Sequence, residues 1–228
     1  MRVAQLAQAI DARYRELDAD RGNPQLPPGE RFAPTASSIT LGAALTSRDV
    51  EGVIARVVAG AAGAWITRAL DGAVTCDLDE AWVRRQYAPG RYPALHAPHG
   101  WHQDGGLAFD YGAHPAPPFP PDAMLTMATC WIALGPCGVA APGLELVAQQ
   151  PAGLLAVTDL ADARIRGRFG EREFRRPVLE TGDALVFAGD VVHRTHVTPG
   201  MTQDRTSIEL RFFRRDAVPP RLAGHRFV

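Results

Sequence analysis

MTQDRTSIELRFF, Met201–Phe213, sorts into two kinds of residue when read with a period of two. Arg205, Ser207, Glu209 and Arg211 fall on one side, and Ile208, Leu210 and Phe212 on the other. Alternate residues of an extended chain point to opposite faces of a sheet, so this is a strand with one polar and one apolar face. A half-exposed edge strand has that pattern. So does a strand whose polar face lines the inside of a barrel. An Arg followed two residues later by a hydroxyl suits a bound carboxylate in the second case: the guanidinium is a planar two-pronged donor, and Ser207 adds another hydrogen bond.

Working outward, GAWITRAL (Gly63–Leu70), AWVRRQYA (Ala81–Ala88), AMLTMATCWIAL (Ala123–Leu134), LELVAQQ (Leu144–Gln150), LLAVTDL (Leu154–Leu160), REFRRPVLE (Arg172–Glu180) and DALVFAG (Asp183–Gly189) also read as strands. They are short, often β-branched or aromatic, and separated by Gly and Pro. Before them, Val3, Leu6, Ile10, Tyr14 and Leu17 recur at helical spacing, and RGNPQLPPGE (Arg21–Glu30) breaks that helix. A second helix is expected over Ser47–Val58, with Thr46 and Asp49 placed as a capping box. HPAPPFPPD (His114–Asp122) reads as a stiff exposed loop, since its prolines cannot sit in a central strand. The expected fold is mainly β with buttressing helices, a barrel or sandwich. One domain spans 1–228, with 1–60 mostly helical support and 61–215 the β core.

Composition narrows the chemistry. The formal net charge of −1 and the lack of charge blocks argue against nucleic acid or an anionic membrane as partner. Every basic residue other than His is Arg; the chain has no Lys. That excludes Schiff-base, pyridoxal-phosphate and Walker-type phosphate chemistry, each of which needs the amine. The three cysteines, Cys76, Cys130 and Cys137, fit no zinc spacing and read as reduced, buried thiols. The N-terminus lacks an apolar secretory core and no apolar run can span a bilayer, so a cytoplasmic location is expected.

WHQDGG, Trp101–Gly106, puts an imidazole and a carboxylate two residues apart beside two glycines, which allow close approach of a ligand or another backbone. Alone, such a pair is unspecific. A third donor is at hand in LETGDALVFAGDVVHRTHVTPG, which holds His193 and His196. Two His and one carboxylate form the facial set of non-haem Fe(II) oxygenases, whereas zinc hydrolases favour His-rich or His/Glu sets.

Four blocks in order then resemble the phytanoyl-CoA dioxygenase family of Fe(II)/2-oxoglutarate-dependent oxygenases: HQDGG within Trp101–Gly106, CWIALGPCGVAAPGLELV (Cys130–Val147), GDALVFAGDVVH (Gly182–His193) and RTS (Arg205–Ser207). The resemblance covers roughly Gln86 to Phe213. It implies a double-stranded β-helix, a squashed jelly-roll or cupin-like barrel of two antiparallel sheets. It implies His102, Asp104 and His193 as the Fe(II) ligands, with His196 a neighbour outside the metal shell. Arg205 becomes the 2-oxoglutarate anchor, Ser207 its helper, and Trp131 a wall of that site. Because there is no Lys, Arg84, Gln86 or Thr129 must assist the co-substrate.

The implied reaction consumes O2 and 2-oxoglutarate, releases succinate and CO2, and hydroxylates a small metabolite or natural-product intermediate. The presence of Asp104 favours hydroxylation over halogenation, because halogenating relatives carry a small residue there. Candidate substrate contacts are Tyr87, Arg91, Phe109, Tyr111, His114, Phe119 and Arg194. Nothing resembles a coenzyme A or nucleotide site. Two alternatives stand beside this reading. One is a nucleic-acid demethylase of the same superfamily, suggested by Arg205 and Arg211 six residues apart. The other is a non-catalytic cupin-like domain that binds metal or 2-oxoglutarate.

Overall fold

A computed structural model describes residues 2–20, 37–91 and 97–228; the helix break expected over Arg21–Glu30 lies outside them. Among the described residues there are eight strands: β1 (Ser38–Thr40), β2 (Val74–Gln86), β3 (Ala128–Ala133), β4 (Gly143–Val147), β5 (Phe174–Arg175), β6 (Ala184–Ala188), β7 (His193–His196) and β8 (Arg205–Arg214). They form a five-stranded sheet in the order β1-β2-β8-β3-β6 and a three-stranded sheet in the order β5-β4-β7, with every pairing antiparallel. Trp131 of β3 and Phe187 of β6 pack against Leu144 and Leu146 of β4, so the inner faces of the two sheets meet. No named strand of one sheet pairs with a strand of the other. The jelly-roll is therefore an open sandwich and not a closed barrel.

β8 occupies the centre of the larger sheet, and its two faces settle the edge-strand question. Ile208, Leu210 and Phe212 are fully buried under Leu6, Ile10 and Tyr14 of α1 (Val3–Asp20), Val53 and Ile54 of α3 (Ser47–Ala59), and Ile66 of α4 (Ala61–Ala69), with the one-turn α2 (Leu41–Ala44) between α1 and α3 in the chain. Burying a side chain of this size is worth about 1.5–3 kcal/mol. The opposite face carries Arg205, Ser207 and Arg211, which are buried too. That face points between the sheets, as the barrel reading required.

The helices follow local rules. Thr46 Oγ1 accepts from the Asp49 amide at 3.3 Å and donates to the Asp49 carboxylate at 2.7 Å, capping α3 where expected. The expected strand GAWITRAL is instead α4: Gly63 and Ile66 lie on one helical face and are buried, so burial overrides the β-preference of Ile and Thr. LLAVTDL ends in a 3-10 turn at Val157–Leu160, and only Phe174 and Arg175 of REFRRPVLE join a sheet. β7 was not expected, because HRTH contains no apolar residue to signal a strand. A short α5 (Asp162–Phe169) packs Ile165 and Phe169 against Trp101 and Val147. No single helix among the described residues is long and apolar enough to cross a membrane.

Two helical glycines make opposite predictions. A Cβ on Gly63 would lie 2.0 Å from the Val58 carbonyl oxygen where α4 turns away from α3, whereas one on Gly52, inside α3, meets nothing within 4 Å. Gly63→Ala is expected to cost about 1–3 kcal/mol through overpacking. Gly52→Ala should stabilise by about 0.5–1 kcal/mol. Urea unfolding of the two variants checks both signs.

Candidate active site

The turn carrying the first two donors is built on the glycines of WHQDGG. His102 pairs with His193 through two backbone hydrogen bonds, His102 N–H to His193 C=O at 2.9 Å and the reverse at 3.0 Å. The backbone then leaves the extended form, and Asp104 opens a 3-10 turn over Asp104–Gly106. Gln103 is still extended, so His102 and Asp104 point to the same side, as expected from their spacing, although only His102 lies in the β-bridge and Asp104 begins the turn. Gly105 makes this possible. Its N–H donates to Gly189 C=O at 2.8 Å, and a Cβ would lie 2.2 Å from Met124 Sδ and 3.0 Å from that same carbonyl oxygen. Between the ligand residues, Gln103 turns away: its side chain donates to Gly153 and Asp190 carbonyls and accepts from Leu155 N–H, which pins the turn from behind.

The three donors converge. His102 Nε2 is 3.8 Å from one Asp104 oxygen, and His193 Nε2 is 3.9 Å from the other. Each Nδ1 faces a backbone carbonyl, Gly100 at 2.8 Å and Val191 at 3.0 Å. That contact places the proton on Nδ1 and leaves Nε2 free to bind a metal. Both Asp104 oxygens are also held by the larger sheet. Thr129 Oγ1 donates at 2.5 Å and Arg211 Nη2 at 3.3 Å. Burial pushes the Asp104 carboxyl up, but Arg211, the two imidazoles and Thr129 outweigh it and hold it well below the usual carboxylate range. Two neutral imidazoles and one carboxylate, all within 4.8 Å of one another, are a donor set that fits a divalent transition metal.

β-sheet alternation decides between the two downstream histidines. His193 and Thr195 face the pocket between the sheets, whereas Arg194 and His196 face outward. The cavity between these walls is narrow, about 30 Å³. Arg205, Trp131, Gln86 and Thr129 line it, as does Arg84. Arg205 is buried beside the Trp131 ring, 5.1 Å from its centroid, and its Nε and Nη1 have no hydrogen-bond partner. Trp131 Nε1 and Ser207 Oγ are likewise buried without partners. Ser207 shares the face of Arg205 but does not reach the pocket wall. Burial lowers the Arg205 guanidinium to about 10, so it stays cationic at neutral pH. Two other cations at the site have carboxylate partners: half-buried Arg84 donates to Glu209 at 2.7 Å, and buried Arg211 pairs with Asp104 and Glu80.

The expected substrate contacts fare differently. Phe109, Tyr111, His114 and Phe119 pack on one another away from the pocket wall, with Arg221 over the Phe109 ring. Tyr87 is buried but outside the wall, and Arg91 pairs with Asp204. Arg194 points to the outer surface, where it bonds Glu145 and Asp162. A one-residue offset from His193 puts it on the face opposite the pocket. Residues not singled out from sequence complete the wall: Glu209, Leu144, Phe187, Thr195, His99, Ser37 and Ser38. Only Glu209 had a sequence signal, its place on the polar face of β8.

Burial, with the neighbouring His102, pushes His193 down to about 4 from its ordinary 6.5. In the unfolded chain the ring takes up a proton as pH falls below 6.5, while in the folded metal-free protein it refuses one until about 4. Stability should therefore fall across that window and level off below it, by on the order of 3 kcal/mol for this group. Urea unfolding of native protein and His193→Gln from pH 7 to 4 should show a shallower slope in the variant; identical slopes would mean that the ring is not buried neutral.

No protein-family model matches the chain, and no curated protein gives a significant match. Solved structures do. EctD from S. alaskensis in its apoform superposes with a TM-score of 0.60 at 16% identity, over 93% of this chain and 68% of that one. The same protein with 2-oxoglutarate and 5-hydroxyectoine gives 0.55 at 18% identity, over 94% and 68%. HygX from Streptomyces hygroscopicus, with nickel and 2-oxoglutarate bound, gives 0.54 at 12% identity, over 92% and 78%. Likeness at this level of identity establishes architecture: the chain has the fold of these proteins, the double-stranded β-helix of the cupin class.

Proposed function

We propose that the protein is a non-haem Fe(II)/2-oxoglutarate-dependent dioxygenase that hydroxylates a small molecule. One observation carries this reading. The His102–Asp104–His193 donor set opens on the same pocket as Arg205, a buried cation whose Nε and Nη1 have no partner. Leaving such donors unsatisfied costs free energy that only an acceptor in the pocket recovers. A dianionic oxoacid would be such an acceptor: one end would bind the metal held by His102, Asp104 and His193, and the other would pair with the Arg205 guanidinium. Structures of the same fold hold Fe, or nickel with 2-oxoglutarate, which supports the assignment.

The bound metal with 2-oxoglutarate and O2 supplies the oxidising chemistry, releasing succinate and CO2. The residues of this chain bind and orient. Thr129 and Arg211 hold the Asp104 carboxylate ionised and turned toward the imidazoles. Gly100 and Val191 carbonyls present the two Nε2 atoms. Arg205 anchors the distal carboxylate of 2-oxoglutarate, with Trp131 beside it and Gln86 opposite it in the β2–β8 ladder. Arg84, Ser38 and His99 give the pocket a polar wall suited to a polar metabolite.

Calorimetric titration of 2-oxoglutarate into anaerobic, Fe(II)-loaded protein tests the anchor. Removing one member of a buried charge pair costs about 3–5 kcal/mol, or roughly two to four powers of ten in affinity. Arg205→Ala should show that loss while still taking up iron, and Arg205→Lys should recover only part of it, because an ammonium cannot make the two-pronged contact. Equal affinity in native protein and Arg205→Ala would overturn the co-substrate assignment. His193→Ala should abolish iron uptake and His196→Ala should leave it intact; the reverse result would displace the ligand set. Succinate release in air separates an oxygenase from a domain that only binds.

A further inference from the structure

The backbone of the two histidine donors is joined by a single bridge, and the reverse side of that bridge carries a second fastening. Neighbours in an extended chain point to opposite faces. Trp101 precedes His102, and Arg194 follows His193, so both turn outward as the imidazoles turn in. There they meet the same carboxylate oxygen. Trp101 Nε1 donates to Asp162 Oδ1 at 2.8 Å, and Arg194 Nη1 donates to Asp162 Oδ1 at 2.6 Å. The Arg194 guanidinium also lies over the Trp101 ring, 4.6 Å from its centroid. Its other edge grips Glu145 at 2.7 Å, which ties β7 to β4.

The inner contacts fix the backbone of this junction but not the outward side chains beside the two ligands. Among the described residues before Asp104, the backbone hydrogen bonds to β7 are the two between His102 and His193 and one from Thr195 N–H to His99 C=O at 3.0 Å. The His102 segment belongs to neither sheet. A clamp on the outer face, acting on the residues adjacent to both ligands, is placed to fix how far apart and at what angle the two Nε2 atoms stand.

We infer that Asp162 is a positioning residue for the metal centre: from the first turn of α5 it holds Trp101 and Arg194 together and thereby sets the spacing of His102 and His193. The inference rests on the proposed metal-binding role of those histidines. Asp162 touches neither ligand. Its side chain is 52% exposed, so its ion pairs contribute little to global stability. Its effect is expected in the geometry of the donors instead.

Cobalt(II) alone, added to the full chain, reads this out, because its visible absorption reports the coordination geometry. Asp162→Ala should weaken Co(II) binding by about 10–100-fold, the usual consequence of losing a group that orients metal ligands, and should change the Co(II) spectrum. The thermal midpoint of the metal-free protein should move by only a few degrees. Asp162→Asn keeps an acceptor for Trp101 but gives up the charge facing Arg194, and should fall between. Glu171→Gln, which breaks a peripheral ion pair with Arg166, should leave Co(II) binding at the native level. Native affinity and spectrum in Asp162→Ala would overturn the inference, and so would a loss of cobalt matched by unfolding of the metal-free variant. A native protein that takes up no cobalt would instead sink the metal assignment, and this inference with it.

Discussion

Arg205 and Arg211 are charged side chains placed between two sheets, on the central strand of the larger one. Taking a guanidinium out of water costs several kcal/mol unless it is paired. The apolar face of the same strand supplies the counterweight: Ile208, Leu210 and Phe212 lock β8 under three helices, so the strand cannot rotate its arginines to solvent. The two cations then diverge. Arg211 is matched by Asp104 and Glu80 and serves the metal side. Arg205 keeps two buried nitrogens without partners, which the proposed function assigns to an anion in the pocket. In the proposed function, one strand thus carries both ends of a chelating oxoacid site.

A metal centre also needs its donors held before the metal arrives, and backbone does much of that work here. Peptide carbonyls choose the tautomer of both imidazoles. Gly105 lets the Asp104 turn press onto Gly189, so the ligand turn and the β6–β7 connection share a backbone hydrogen bond. These are rigid constraints with few rotatable bonds, which suits a site that must not collapse when empty. The outer cluster of Glu145, Asp162, Arg166, Arg176 and Arg194 is the complementary device, made of long side chains on the far face of the smaller sheet.

Sequence alone determined whatever repeats locally. The period of two in β8 announced both its faces, and Thr46 with Asp49 marked where α3 begins. His102, Asp104 and His193 were legible because metal donors are few in kind and their blocks keep their order. Tertiary structure decided the rest, because those features depend on partners far away in the chain. Ile66 became helical because a helical face buries it, which no local propensity states. β7 went unseen since its partners, not its composition, make it a strand. Arg194 sits one residue from a ligand yet faces the other way, and Asp162 meets Trp101 across 61 positions. Spacing within a segment can say which residues share a face; only packing against another segment says which face is inside.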